Sequence, residues 1–313
     1  MKLGLLTFHR ALNYGAVLQT YASVQFLRQL GHEVFVLDYR CAALEETYRP
    51  FRRDPARWRS EGWRYALKWL PVSFLRAGRA RGFARFRQQN LPLLPFAQAE
   101  ELEAILVGSD QVWNESITGA DPVYAGAFLP GVKKVAWAAS AGSYVPPEER
   151  IKAFSETFSS ISVREASLRD LLPGSVLLAD PCALLSETEW RRLVHPVGGP
   201  YVLAFPMNND ARVLQSARQI ARERHLPLKI LSQRASLQFD RIQGAGPEDF
   251  LSLMAAAEYV VTSSYHGALF SKIFSREHTW ICEPSDPRFR TLEEMDFNRA
   301  QAHAANFLKK ALR

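Results

Sequence analysis

The first 38 residues constrain the fold more than any other stretch of the chain. Residues 2–8 form a short apolar run of strand length. A polar turn over 9–15 follows, and then Val17, Tyr21, Val24, Leu27 and Leu30 recur at helical spacing. Gly31 stands where a helix is ended by a residue that adopts positive φ. Residues 34–37 are a second apolar run, closing at Asp38. Strand, helix and strand within so short a span make a βαβ crossover, and such a crossover requires a parallel sheet.

The alternation continues along the chain. Strands are expected at 104–107, 132–139, 161–163 and 176–179, with helices over 150–158 and 165–172. A second series follows, with strands at 201–205, 228–231, 259–262 and 279–282. Helices are expected between them at 210–225, 247–257 and 268–274. The first of these carries its apolar stripe at Val213, Ala217, Ile220 and Ala221. The tail, 300–312, sets Ala304, Phe307, Leu308, Ala311 and Leu312 on one face and reads as an amphipathic helix packed back on the body. Pro196, Gly198, Gly199 and Pro200 mark a linker within 185–200. The expectation is an α/β protein of two Rossmann-like domains, 1–186 and 187–313. Ligands are expected in a central cleft, beyond the carboxyl ends of the strands.

Composition excludes several classes. A length of 313 residues suits two domains, and 47% hydrophobic with 23% charged residues is not the profile of a disordered chain. Cys41, Cys182 and Cys282 are an odd number with no CxxC pair. They read as buried thiols in a reducing compartment and argue against a disulfide scaffold or a structural zinc site. The start has no signal-peptide pattern, and no run approaches 18 apolar residues, so the cytoplasm is the expected location.

The net charge of +7 is concentrated. Residues 49–90 hold twelve Arg or Lys and two acids, a local charge of +10, which leaves −3 for the rest. The same segment holds Trp58, Trp63, Tyr65, Trp69, Phe74, Phe83 and Phe86. It reads either as a solvated helical hairpin whose aromatics pack on the body, or as a surface for anionic lipid or an acidic saccharide lipid. No helix-turn-helix, RRM or KH pattern accompanies it, so no nucleic-acid partner is expected.

Candidate chemistry sits at strand ends. In Thr262-Ser-Ser-Tyr-His-Gly267, a strand runs into two hydroxyls, a histidine and a glycine that opens a helix. N–H groups at a helix start favour an anion, Ser263 and Ser264 add hydroxyls, Gly267 permits close approach, and His266 is titratable. The alternative is a serine N-cap with a backbone-satisfied histidine. In Gly108-Ser-Asp-Gln-Val-Trp-Asn114, Asp110 and Asn114 are candidates for sugar hydroxyls and Trp113 for stacking on a sugar face; alternatively Asp110 caps the next helix. Arg164, in Ser162-Val-Arg-Glu165, offers a planar fork to a carboxylate or phosphate, or pairs with Glu165. The first βα loop, His9-Arg10-Ala-Leu-Asn13-Tyr14-Gly15 with Gln19, is ligand-facing and supplies Asn13, Tyr14 and Gln19. Cys182, after Asp180-Pro181, reads as structural. The absence of GxGxxG, GxxxxGK[ST], HExxH and GxSxG removes the dinucleotide, P-loop, zincin and α/β-hydrolase options.

These segments together resemble the polysaccharide pyruvyl transferase family. The resemblance rests on Asn13 through Gln19, Gly31-His32-Glu33-Val34 with Asp38-Tyr39, Gly108 through Asn114, Val163-Arg164-Glu165, Asp180-Pro181 and Ser264-Tyr265-His266-Gly267, in order over most of the chain. It implies a GT-B-like fold and transfer of a pyruvyl group from phosphoenolpyruvate to saccharide hydroxyls in exopolysaccharide or cell-surface glycan biosynthesis. It carries the family's histidine onto His266, the proton-transfer group, and its donor-binding arginine onto Arg164, the donor clamp; beside it, Asp110 is the candidate for orienting the acceptor hydroxyl. The two side chains His266 and Arg164 are expected to converge on one small dianion. The donor side adds Ser263, Ser264 and Gly267; the acceptor side takes Asn13, Tyr14, Gln19, Trp113 and Asn114. Some members carry Arg at the position of Ser264, so one anion contact falls to Lys272, Arg288 or Arg290. No metal or resident cofactor is implied, and a lipid-linked acceptor would place the enzyme peripherally at the inner membrane face. Two other readings stand beside this one: a GT-B glycosyltransferase using a nucleotide sugar, and a silent sugar-phosphate or lipid-binding protein.

Overall fold

The computed structural model describes residues 1–49, 55–233, 238, 240–282 and 287–313. The chain divides into two compact units. The first comprises residues 1–48, 87–186 and 295–313; the second comprises 49–86 and 187–294. Two segments are therefore assigned differently from the order of the chain: the basic segment up to residue 86 groups with the second unit, and the terminal helix with the first.

The first unit is built on seven strands: β1 (Lys2–Leu6), β2 (Glu33–Asp38), β3 (Leu93–Pro95), β4 (Ala104–Val107), β5 (Lys133–Ala139), β6 (Ser160–Val163) and β7 (Val176–Leu177). Their order is β3-β2-β1-β4-β5-β6-β7, every pair parallel. The second sheet repeats that winding with β8 (Val202–Phe205), β9 (Leu228–Leu231), β10 (Arg241–Ile242), β11 (Tyr259–Thr262) and β12 (Glu277–Trp280), in the order β10-β9-β8-β11-β12. Both sheets thus show the reversal of strand order beside their first strand that defines a Rossmann-type switch point. Central strands read as unbroken apolar runs because parallel strands are covered on both faces. In β4, Ala-Ile-Leu-Val is buried at every position.

Helices follow from caps and stripes. Helix Tyr14–Gln29 opens on Asn13, whose Oδ1 accepts the Ala16 N–H at 3.3 Å, and ends before Gly31 at φ +85°. Trp137 on β5 is fully buried, stacked near-parallel to Phe26 and Phe307, with its Nε1–H donating to Ser23 Oγ at 3.0 Å. It thereby joins the first helix, the sheet and the terminal helix Phe297–Ala311. In the second unit, Phe205, Phe250, Phe270 and Trp190 form a chain of aromatic contacts. Trp190 lies in helix Glu187–Arg191, inside the stretch expected as linker.

The basic segment forms a seven-residue helix, Pro55–Glu61, followed by a 28-residue helix, Trp63–Asn90. Arg52, Arg53 and Asp54 lie outside the described residues. Tyr65, Phe83 and Phe86 are buried, whereas Trp58, Trp63 and Phe74 are exposed, so its aromatics divide between packing and water. Strands β3 and β10 carry too few residues to show a period in sequence. No helix among the described residues is long and apolar enough to cross a membrane.

Candidate functional site

Strand β11 delivers the sharpest motif. Thr262 Oγ1 donates to the Phe205 carbonyl at 2.7 Å and accepts the Ser264 N–H at 3.0 Å, so the ends of β8 and β11 are clamped together. Ser264 is the N-cap of helix Tyr265–Ile273, its Oγ accepting the Gly267 N–H at 3.3 Å. The helix starts three residues earlier than the apolar spacing suggests because the cap, not the first apolar residue, sets its beginning. His266 lies half-buried in the first turn, edge-on to Tyr265. Ser263 Oγ accepts the Met207 N–H at 3.0 Å and lines a cavity of about 390 Å³ with Met207, Asp210, Arg212, Cys282 and Phe289. That cavity lies at the carboxyl ends of β8, β11 and β12. Arg212 forks onto Asp210, and this hydrogen bonding holds the Asp210 carboxyl below its ordinary value.

Two residues of the donor list act differently from expectation. A Cβ on Gly267 would lie 2.5 Å from Thr262 Oγ1 and 2.8 Å from Phe205 Cδ1, so its missing side chain serves helix-on-strand packing and not ligand approach. Lys272 Nζ donates to the carbonyls of Leu292 and Glu293 at 2.8 and 2.7 Å, closing the end of helix Pro287–Glu293. The side chains of Arg288 and Arg290 lie outside the described residues.

In the first unit, polar groups collect at the carboxyl ends of β1, β4, β5 and β6. Thr7 Oγ1 donates to the Ser109 carbonyl at 2.9 Å and accepts from Gln19 Nε2 at 2.8 Å. Gln19 is fully buried, and its Nε2 also donates to the Ala16 carbonyl at 2.8 Å, so its amide nitrogen is used inside the fold. Asn13 and Asn114 are helix caps, Asn114 Oδ1 accepting the Ser116 N–H at 3.1 Å. Tyr14 is 1% exposed. Trp113 is 2% exposed, stacked on Phe154 at 4.1 Å between centroids, with Nε1–H donating to the Tyr124 carbonyl. It is packed as a core residue and not as an exposed stacking platform. Asp110 takes a left-handed backbone, φ +69°, and its Oδ1 accepts the N–H of Gln111 at 2.9 Å. It is half-buried at the end of β4, the position expected for a ligand-facing carboxylate.

Arg164 pairs with Asp180, both side chains almost fully buried. Asp180 Oδ1 also accepts the Cys182 N–H at 2.9 Å. The Cys182 thiol is fully buried, and burial pushes its pKa well up. Glu165, offered as a partner of Arg164, bonds Ser140 Oγ instead. At the end of β2, Asp38 Oδ1 meets His9 Nε2 at 3.0 Å and Arg10 Nη1 at 2.7 Å, and Arg10 Nε donates to Glu45 at 2.8 Å. The hydrogen bond with His9, and Arg10 beside it, hold the Asp38 carboxyl well below the usual range. The partners of Arg164 and Asp38 were not foreseeable from spacing; the loop after β8, with Asp210 and Arg212, was signalled only by its position at a strand end.

The motifs that prompted the family resemblance therefore stand at carboxyl ends of parallel strands or cap the helices that follow. The model of the polysaccharide pyruvyl transferase family matches residues 13–281. The chain belongs to that family. This polysaccharide pyruvyl transferase family member matches no curated protein in sequence. In structure it is similar to UDP-GlcNAc 2-epimerase of Methanocaldococcus jannaschii bound to UDP-GlcNAc and UDP, at 11% identity over 100% of this chain and 93% of that one, TM-score 0.49. It is also similar to UDP-GlcNAc 2-epimerase of Neisseria meningitidis, at 10% identity over 100% and 99%, TM-score 0.49. The glycosyltransferase SsfS6 of Streptomyces sp. SF2575 is similar at 12% identity over 100% and 92%, TM-score 0.41. These likenesses are too distant to bear on the activity of a pyruvyl transferase family member.

Proposed function

We propose that this chain moves the pyruvyl group of phosphoenolpyruvate onto hydroxyls of a saccharide, leaving a cyclic ketal, in the biosynthesis of an exopolysaccharide or other cell-surface glycan. The supporting observation is the family match from residue 13 to residue 281, a span that contains the helix start at Ser264-Tyr-His-Gly267.

The donor carries a carboxylate and a phosphate and needs fixed cationic or N–H partners for both. Protonation at C3 makes C2 electrophilic. A sugar hydroxyl adds at C2 and gives up its proton, and the C2–O bond to phosphorus's bridging oxygen breaks as inorganic phosphate leaves. The second hydroxyl then adds at C2, loses its proton and closes the ketal. His266 is assigned proton transfer at the donor, and the start of helix Tyr265–Ile273 with the Ser263 hydroxyl is assigned to the anion. Arg164 is assigned the second anionic group, its fork held in orientation by Asp180. Asp110 is assigned the acceptor hydroxyl. No cofactor enters this scheme, and phosphoenolpyruvate is a co-substrate.

The test is phosphate release from phosphoenolpyruvate by the purified full chain with a panel of saccharides, and the appearance of pyruvyl mass on the acceptor. Consumption of a nucleotide sugar with phosphoenolpyruvate untouched overturns the proposal.

A further inference from the structure

The scheme above leaves the long basic helix Trp63–Asn90 without a role. Its 28 residues include seven Arg or Lys and no Asp or Glu. One side turns Tyr65, Ser73, Phe83 and Phe86 inward, all buried. Arg79 goes with that side: it is buried, lies over the Phe83 ring and donates to the Gln233 carbonyl. The opposite side carries Trp63, Leu67, Leu70 and Phe74, which are 69%, 65%, 47% and 57% exposed. Their spacing of four, three and four residues puts them in one line, about 16 Å long at 1.5 Å per residue. The line continues through Arg81 and Arg85, both exposed, and Arg64 flanks it with its guanidinium 5.7 Å from the Trp63 ring centroid.

A row of four large apolar side chains facing water marks a contact surface. Charge selects the occupant. A second copy meeting this face across a two-fold axis would bring like-charged, acid-free helices together. A nucleic acid gives Leu67 and Leu70 nothing to stack on. An anionic bilayer uses both features, the apolar row at the acyl boundary and the cations among the phosphates.

We propose that helix Trp63–Asn90 docks on an anionic lipid bilayer, with Trp63, Leu67, Leu70 and Phe74 inserted and Arg64, Arg81 and Arg85 at the headgroups. The proposal is independent of the reaction assigned above.

Sedimentation of the full chain with vesicles tests it. Binding is expected to phosphatidylcholine mixed with phosphatidylglycerol, weak binding to phosphatidylcholine alone, and loss of binding as salt rises. Arg64→Glu, Arg81→Glu and Arg85→Glu together are expected to weaken binding by about tenfold or more. Trp63→Ser, Leu67→Ser and Leu70→Ser together are expected to weaken it as well, with thermal melting unchanged because these side chains are exposed. Equal binding of the serine variant shows adsorption by charge alone, as to nucleic acid, and overturns the proposal. So does equal binding to neutral vesicles, or a wild-type dimer in sedimentation velocity that the serine variant converts to monomer. Should either variant melt early, quenching of wild-type tryptophan emission by brominated acyl chains decides the matter: quenching supports docking and its absence refutes it.

Discussion

Position 267 has room for a hydrogen and little more. Gly267→Ala is expected to cost about 1–3 kcal/mol, because the added methyl meets Thr262 Oγ1 and the Phe205 ring where neither has slack; a lowered thermal midpoint checks this. Its neighbour should behave in the opposite way. His266 is half-buried and assigned to chemistry, so His266→Ala should slow pyruvyl transfer by roughly 10²–10⁴, a far larger effect on rate than on the melting curve. Trp113 separates packing from recognition just as clearly. Trp113→Ala is expected to lose about 3–5 kcal/mol of stability, since the ring stacks on Phe154 in the core. Asp38 makes stability depend on acid. Its folded-state pKa is depressed, so its contribution is present above the ordinary carboxylate value and fades as pH falls below about 4. The stability gap between wild type and Asp38→Asn should accordingly narrow on acidification, as denaturant melts at several pH values would show.

At the scale of elements, the sheets were legible and the polar residues were not. Unbroken apolar runs such as Ala104–Val107 announce buried parallel strands directly. Asn13, Asn114 and Ser264 gave a different signal. Each stands between a strand and the helix that follows it, with an oxygen suited to a sugar hydroxyl or to a helix N–H, and the same chemistry serves both. The fold uses all three as caps. Sequence spacing also cannot show that Arg164 meets Asp180, sixteen residues away, because that pairing depends on the turn from β6 through β7. The cap at Ser264 is open to measurement: Ser264→Ala should cost about 1 kcal/mol, with unfolding in urea as the readout.

At the scale of the molecule, two sheets of the same winding came through from the alternation of the sequence, whereas the membership of each unit did not. Periodicity shows that residues 300–312 have an apolar face but not which core receives it. Phe307 against Trp137 answers that question. The first unit is thus completed by residues 295–313, and the second draws on residues 49–86 as well as 187–294. A ribosome delivering this chain from its amino end cannot finish either unit in order of synthesis. The early sheet must wait, with the side of Trp137 that meets Phe307 uncovered, until helix Phe297–Ala311 emerges to cover it.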